Sequence, residues 1–256
     1  EARGLYQKVR SSALFDKELK MYKVNADLSQ ESEEIGRTSI FPRGWLENES
    51  IWLHMEYKFL LELLRCGLHE EFYENMETAM IPFLKPQQYG RSVLENSSFI
   101  VSSAHEDKSL HGQGFVARLS GSTAEFLHMW LLMVLGPQPF KLNEKGELTF
   151  DLQPALKGSL FTREEAVCEY SAGGQSRKVK LAKNTYAFNL FASTLVVYHN
   201  PSRKDTFGAK KARIKKISLV YAGSPKPIEL TAAVIPAYHA QAIRKLKVER
   251  IDVHLE

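Results

Sequence analysis

Cysteine is nearly absent: the 256 residues hold two, Cys66 and Cys168, far apart in the chain. Two such residues build no disulfide framework and match no zinc-ligand spacing, so a reducing compartment, the cytoplasm, is the expectation. Long apolar runs are missing too. The longest, FLHMWLLMVLG from Phe126 to Gly136, is interrupted by His128 and too short to span a bilayer. The opening residues lack the order of a signal peptide and an initiator Met, so the chain reads as starting mid-protein. There is no phosphate-binding P-loop, dinucleotide glycine fingerprint, zinc spacing, Gly-x-Ser-x-Gly elbow or fixed-period repeat. Charge of one sign is not dominant either: 34 Lys and Arg against 30 Asp and Glu leave +4, which favours anionic ligands without pointing to nucleic acid.

What is present changes along the chain. With 44% hydrophobic residues it can bury one large core or two smaller ones. The first forty residues, with polar spacers such as SQESEE, read as loops with short strands or turns. From Leu46 a helix is expected, with Ile51, Trp52, Met55, Phe59, Leu60, Leu63 and Leu64 on one stripe and Gly67 ending it. HEEFYENMETAMIPFL follows, with acids at its start and Phe72, Met76, Ala79 and Met80 on one face, so the two segments predict an antiparallel helical hairpin. The polar stretch from Tyr89 to Ser122 is too long for a bland connector; such segments are usually functional or disordered, and its apolar spacing argues against disorder. A third helix is expected from about Ser122, where Ser122-Thr123-Ala124-Glu125 fits a capping box, and Gly136-Pro137 stops it.

Beyond Leu142 the texture turns to short strands: ELTFDL, AVCEYS, KVKLA, TYAFNLF, STLVVYH, KISLVYA, PIELTAAVI and VERIDVHL, separated by turn residues. Such spacing predicts an antiparallel sandwich. The expected organisation is α+β, a helical part over residues 1–136 followed by a β-sandwich over 137–256.

Chemistry-bearing residues concentrate in the helical part. LSGSTAEF puts Gly121, Ser122 and Thr123 at a helix N-terminus, where outward N–H groups and the positive dipole end suit phosphate; Arg118 precedes them. The alternative is that Ser122 and Glu125 only cap the helix. His54 follows Trp52, with Glu47 and Asn48 just before; imidazole changes charge near neutral pH, but a lone His is also an ordinary core or surface residue. His111, in SLHGQGF, has the same two readings. Glu47-Asn48 and Glu95-Asn96 are Glu-Asn pairs among aromatic side chains, a mixture suited to sugar hydroxyls and ring faces and also found in surface loops. SRKDTFGAKKARIKKI is strongly basic and reads as a phosphate-backbone contact or a solvated hairpin loop; sparse stacking aromatics favour the loop and argue against nucleic acid.

Taken together, these segments resemble the C-terminal part of the cellobiose phosphorylase family, glycoside hydrolase family 94, and its longer relatives that act on β-glucans. The family's stretch of the form YPPGIKENGGIFNH runs beside FPRGWLENESIWLH without a gap, with Phe41, Pro42, Gly44, Glu47, Asn48, Ile51, Trp52 and His54 matching in identity or kind. A family Glu before an apolar segment, and then a stretch like HGEAKNSWLTGTAAW, correspond in order and spacing to LENSSFIVSS and HGQGFVARLSGSTAEF. The final AAVIPAYHAQAIRKLKVERIDVHLE looks like the closing strands of the family's jelly-roll sandwich.

The resemblance implies the end of an (α/α)6 barrel over 1–136, then a jelly-roll sandwich. It implies inverting phosphorolysis of β-linked gluco-oligosaccharides to α-glucose 1-phosphate, with inorganic phosphate as co-substrate and neither cofactor nor metal. By residue it implies phosphate contacts from His54 and from Gly121, Ser122 or Thr123, and a sugar-contacting carboxylate in Glu47. Asn48, Trp52, Glu95, His111 and Arg118 would line the cleft. The family's Gly-Gly is Glu49-Ser50 here, expected to add side chains near that cleft. The general acid, an Asp in a glycine-rich segment, and an Arg pair of the phosphate site are not in this chain. The implied partner is therefore the rest of the barrel, with a homodimer as a further candidate. A noncatalytic carbohydrate-binding or assembly module of the same fold is the alternative class.

Overall fold

A computed structural model of the protein describes residues 1–117, 120–172, 174–224 and 226–256. The fold is α+β, with six α-helices and several small sheets among the described residues, and the chain divides into two units, Glu1–Trp130 and Leu131–Glu256.

The first unit begins with α1 (Ala2–Ser11), where the sequence predicts loops. Its buried residue, Tyr6, stacks on Phe59 at 6.2 Å, so tertiary packing holds a short helix that periodicity alone does not announce. The hairpin of β1 (Phe15–Asp16) and β2 (Met21–Tyr22) comes next. Then follow β3 (Ile51–Trp52), α2 (Leu53–Arg65), α3 (His69–Ala79), α4 (Pro86–Tyr89), β4 (Ser97–Ile100), β5 (Gly114–Ala117) and α5 (Ser120–Leu135), of which the residues up to Trp130 belong to this unit. The helix expected from Leu46 thus starts seven residues later. Leu46 and Glu49 have φ of +47° and +58°, left-handed conformations that an α-helix does not accept, and Ile51 and Trp52 pair with β4 instead. The buried face of α2 is Leu53, Glu56, Tyr57, Leu60, Leu61, Leu63 and Leu64; Met55, expected on it, is exposed. Gly67, at φ +72°, ends this helix, and Leu68 donates back to Leu63 before α3 begins. The third long helix starts at Ser120, so Ser122 lies inside the first turn and does not cap it.

One small sheet organises this unit. Its order is β3-β4-β5, all antiparallel, with Trp52 opposite Phe99, Phe99 opposite Phe115, and Ser97 opposite Ala117. The end of β3, the start of β4 and the end of β5 therefore lie side by side. The strands are four residues or shorter, so the two ends of the sheet are about 13 Å apart.

The second unit holds β6 (Phe140–Leu142), β7 (Leu148–Asp151), β8 (Ala166–Ala172), β9 (Gln175–Leu181), β10 (Thr185–Leu190), β11 (Thr194–His199), β12 (Ile214–Tyr221), β13 (Ile228–Leu230), β14 (Val234–Ile235), α6 (Ala237–Arg244) and β15 (Val248–Leu255). A five-stranded sheet runs β10-β11-β15-β12-β13, beside a three-stranded sheet, β14-β7-β6, and the β8-β9 hairpin. The expected strands form, except that PIELTAAVI is split into β13 and β14, which belong to different sheets, and the pairing is not wholly antiparallel, because β15 lies parallel to β11. The segment expected to close the fold with strands alone contains α6 as well; Pro236 stands at its N-cap, and Ala240, Ala242 and Ile243 are buried. Hairpin β8-β9 packs on the large sheet, with Val179, Cys168 and Tyr170 against the core of Leu181, Leu195 and Val197. In the basic segment between β11 and β12, Arg203 donates to the carbonyls of Phe161 and Thr162; Lys215 and Lys216, in β12, pair with Glu256 and Glu229. No helix among the described residues is long and apolar enough to cross a membrane.

Candidate functional site

The register of the β3-β4-β5 sheet brings three distant segments to one end. His54 lies two residues beyond β3, Asn96 immediately precedes β4, and the first turn of α5 begins three residues after β5. The contacts follow from this placement. The imidazole of His54 packs against Gly121, where a Cβ would stand 2.7 Å from Nδ1. Asn96 Nδ2 donates to Thr123 Oγ1 at 3.2 Å, and Asn96 Oδ1 accepts from Tyr57 at 3.2 Å. Tyr57, wholly buried, also accepts from the Ile81 N–H at 3.1 Å, so Asn96 is tied to the core of α2.

This end is part-open and polar. The His54 side chain is 31% exposed, with Nε2 3.6 Å from Glu125 Oε1. Thr123 is exposed, whereas Ser122 is fully buried, so Thr123 carries the hydroxyl that faces solvent. The first turn of a helix directs its backbone N–H groups away from the helix's own carbonyls and carries the positive end of the dipole, a combination worth about 0.3–1 kcal/mol to an adjacent anion. Glycine at 121 lets the imidazole reach that backbone. Glu125 supplies a carboxylate that competes with any anion for His54 Nε2. Arg118 lies outside the described residues.

A second group of expected residues adjoins the opposite end of the strands. Glu47 is paired with Arg37 at 2.6 Å, yet its Oε2 is buried and has no hydrogen-bond partner. Asn48, 1% exposed, donates to the Phe41 carbonyl, and its Oδ1 is likewise buried without a partner. The Trp52 indole donates to the Leu46 carbonyl and stacks with Phe99 at 5.9 Å, which fixes the turn onto the sheet. His111, 11% exposed at its side chain, donates from Nε2 to the His105 carbonyl and lies 3.7 Å from Glu18. Glu95 belongs instead to the first end, next to Asn96, where it is exposed and approaches Arg91 at 3.4 Å. His54 with the start of α5, and Glu47 with Asn48 and His111, are thus two groups separated by the length of the strands.

Glu49 and Ser50 do not enter an open cleft. Glu49 is 1% exposed and held by Lys23 at 2.5 Å and Arg43 at 2.5 Å, while Ser50 is fully buried and donates to the Leu46 carbonyl. Burial works against ionisation of Glu49, but the hydrogen bonds and charges of Arg43 and Lys23 overcome it and hold the carboxyl below its ordinary value. Its N–H donates to Asn25 Oδ1, so residues 23–25 clamp the turn that leads into β3. Sequence reasoning missed this clamp, because nothing local pairs Lys23 with Glu49. It named Asn96 only as half of a Glu-Asn pair, and the structure gives that residue the central hydrogen bonds.

No grouping of three or more His, Cys, Asp or Glu residues able to hold a metal ion occurs among the described residues. No protein-family model matches the chain, and no curated protein matches it significantly.

Proposed function

We propose that the end of the β3-β4-β5 sheet is a phosphate site and that the chain is the C-terminal part of a glycoside phosphorylase of the cellobiose phosphorylase type. The observation that carries this reading is the packing of the His54 imidazole on Gly121 in the first turn of α5. A ring nitrogen and helix N-terminal amides can face the same anion, and Thr123 adds a solvent-facing hydroxyl. Glu47 Oε2 and Asn48 Oδ1, buried acceptors without donors at the other end of the strands, would on this reading meet hydroxyls of sugar units beyond the one that phosphate attacks. On this reading the first unit is the end of an (α/α)6 barrel and the second a jelly-roll sandwich. The protein would act in the cytoplasm, on a β-linked gluco-oligosaccharide.

In the proposed reaction a phosphate oxygen attacks the anomeric carbon of the terminal glucosyl unit from the face opposite the leaving oxygen. The glycosidic C–O bond breaks, the departing oxygen takes a proton from an acid, and α-glucose 1-phosphate results. Phosphate thereby replaces the water and general base of an inverting hydrolase. Holding it beside the sugar makes attack effectively unimolecular, which is the chief service of His54 and the helix terminus. The resemblance assigns the acid to an Asp outside residues 1–256.

The test uses the protein extended by its upstream residues, supplied with phosphate and β-1,2, β-1,3 or β-1,4 oligoglucosides. Release of glucose 1-phosphate from one of them, abolished by His54→Ala, is expected. No sugar phosphate from any linkage, with no phosphate bound, would overturn the proposal and leave the noncatalytic module.

A further inference from the structure

The second unit carries a charged cluster that the phosphorylase reading does not use. On one face of the large sheet, His199, His254 and Lys216 are cross-strand neighbours on β11, β15 and β12. The two imidazoles stack with centroids 4.6 Å apart and planes 11° from parallel. In the next row Asp252 faces Ser218, which faces Glu229 of β13. Asp252 accepts two hydrogen bonds from Arg250 at 2.7 Å and one from His199 Nε2 at 2.7 Å. Glu229 accepts two from Lys216 at 2.9 and 3.0 Å. From the β8-β9 hairpin, Tyr170 approaches Arg250 and Arg177 pairs with Glu249 at 3.1 Å; at the strand's end Glu256 pairs with Lys215.

The charge count is informative. With both imidazoles neutral, Arg250 and Lys216 are balanced by Asp252 and Glu229, two cations against two carboxylates. A charge added to His199 would stand beside Asp252, the carboxylate its Nε2 already bonds. A second, on His254, makes four cations against the same two carboxylates, both already shared. Like charges directly opposite across strands destabilise a sheet. We propose that the stacked His199–His254 pair is an acid-sensitive latch on the C-terminal strand: the neutral rings seat β15 between β11 and β12, and charging them beside Lys216 and Arg250 loosens it.

The electrostatics of His254 agree in sign. Burial, then His199 and Lys216, push its imidazole below the ordinary value, while Asp252 and Glu229 act the other way. Stability from such a group is complete above the unfolded value of about 6.5 and is lost as pH falls from there toward the folded value.

Hydrogen exchange at the Ile251 and Val253 amides of β15, read as protection factors from pH 7.5 to 5, tests this. Protection is expected to fall by up to about tenfold per pH unit below pH 6.5 in the wild type, and to stay level in His254→Gln. A parallel NMR titration should show the His254 midpoint rising in Lys216→Met. Equal pH-dependent loss in His254→Gln and wild type, or a His254 midpoint unmoved by Lys216→Met, would overturn the proposal. The NMR titration decides the matter even if His254→Gln fails to fold.

Discussion

His54 and Gly121 are in direct contact, the ring seated where a side chain on residue 121 would have to stand. The relationship joins residues 67 positions apart and rests on the antiparallel pairing of β4 with both β3 and β5. It also defines the sharpest mutation. Gly121→Ala places a methyl 2.7 Å from Nδ1 and 2.8 Å from Cε1 of His54, so the ring must move off the first turn of α5. We expect a stability loss of about 1–3 kcal/mol in urea unfolding. A phosphate titration followed at the His54 ring protons should lose its response, and an unchanged response would contradict the proposed phosphate site.

Asn96 is expected to matter more to the site than Glu95. Asn96→Ala removes the bonds to Thr123 and to the Tyr57 hydroxyl, and should cost about 1–3 kcal/mol as well as weakening phosphate binding. Glu95→Gln, at an exposed ion pair, should change stability by less than about 1 kcal/mol. Denaturant unfolding of the two variants separates them.

Glu56 predicts a pH dependence of opposite sign to that of an ordinary paired carboxylate. It is fully buried in α2; burial pushes its carboxyl up to about 8, against a single hydrogen bond from the Tyr22 N–H. A folded value raised above the unfolded one means that the group's contribution is full below about pH 4.5 and is lost as pH rises toward 8, at no more than about 1.4 kcal/mol per unit. Glu56→Gln should remove that slope in unfolding experiments from pH 5 to 8.

The Lys23–Glu49–Arg43 clamp should fail in the other direction. Because Glu49 sits below its ordinary value, its contribution is present above the unfolded carboxylate range and is lost as pH falls through the folded value. Glu49→Gln leaves Lys23, 11% exposed at its side chain, without its anion, and should cost about 3 kcal/mol at pH 7. Chemical denaturation at pH 7 and pH 4 should show the gap between variant and wild type closing at the lower pH.

The turn between β10 and β11 offers a stabilising change. Phe191 and Ala192 have φ of +54° and +49°, a backbone that costs an L-residue about 1 kcal/mol. Ala192→Gly should therefore raise stability by about 0.5–1 kcal/mol in the same unfolding measurement.

Local chemistry made the elements that depend on local pattern legible. The strands of the second unit follow from alternating or β-branched runs between turn residues, and α2 and α3 lie within stretches of helical spacing. Where the pattern misleads, a non-local partner is responsible. Ile51 and Trp52 fit a helical stripe but pair with Phe99 and Ile100; α1 has one buried residue, Tyr6, whose partner is Phe59. In the candidate site, His54, Glu47, Asn48 and Gly121 to Thr123 were recognisable as residue types suited to phosphate and sugar, because a side chain's donors and acceptors belong to the residue itself.

Sequence alone therefore determined the α+β composition, the absence of a spanning helix among the described residues and the set of side chains able to meet an anion. Tertiary structure decided which of them meet. It seated His54 on Gly121, chose Thr123 over Ser122 as the solvent-facing hydroxyl, withdrew Glu49 into a clamp with Lys23, and ranged Glu47 and His111 beyond the other end of the sheet. The reason is register: a pairing between strands far apart in the chain fixes which loops share an end, and no local periodicity encodes it.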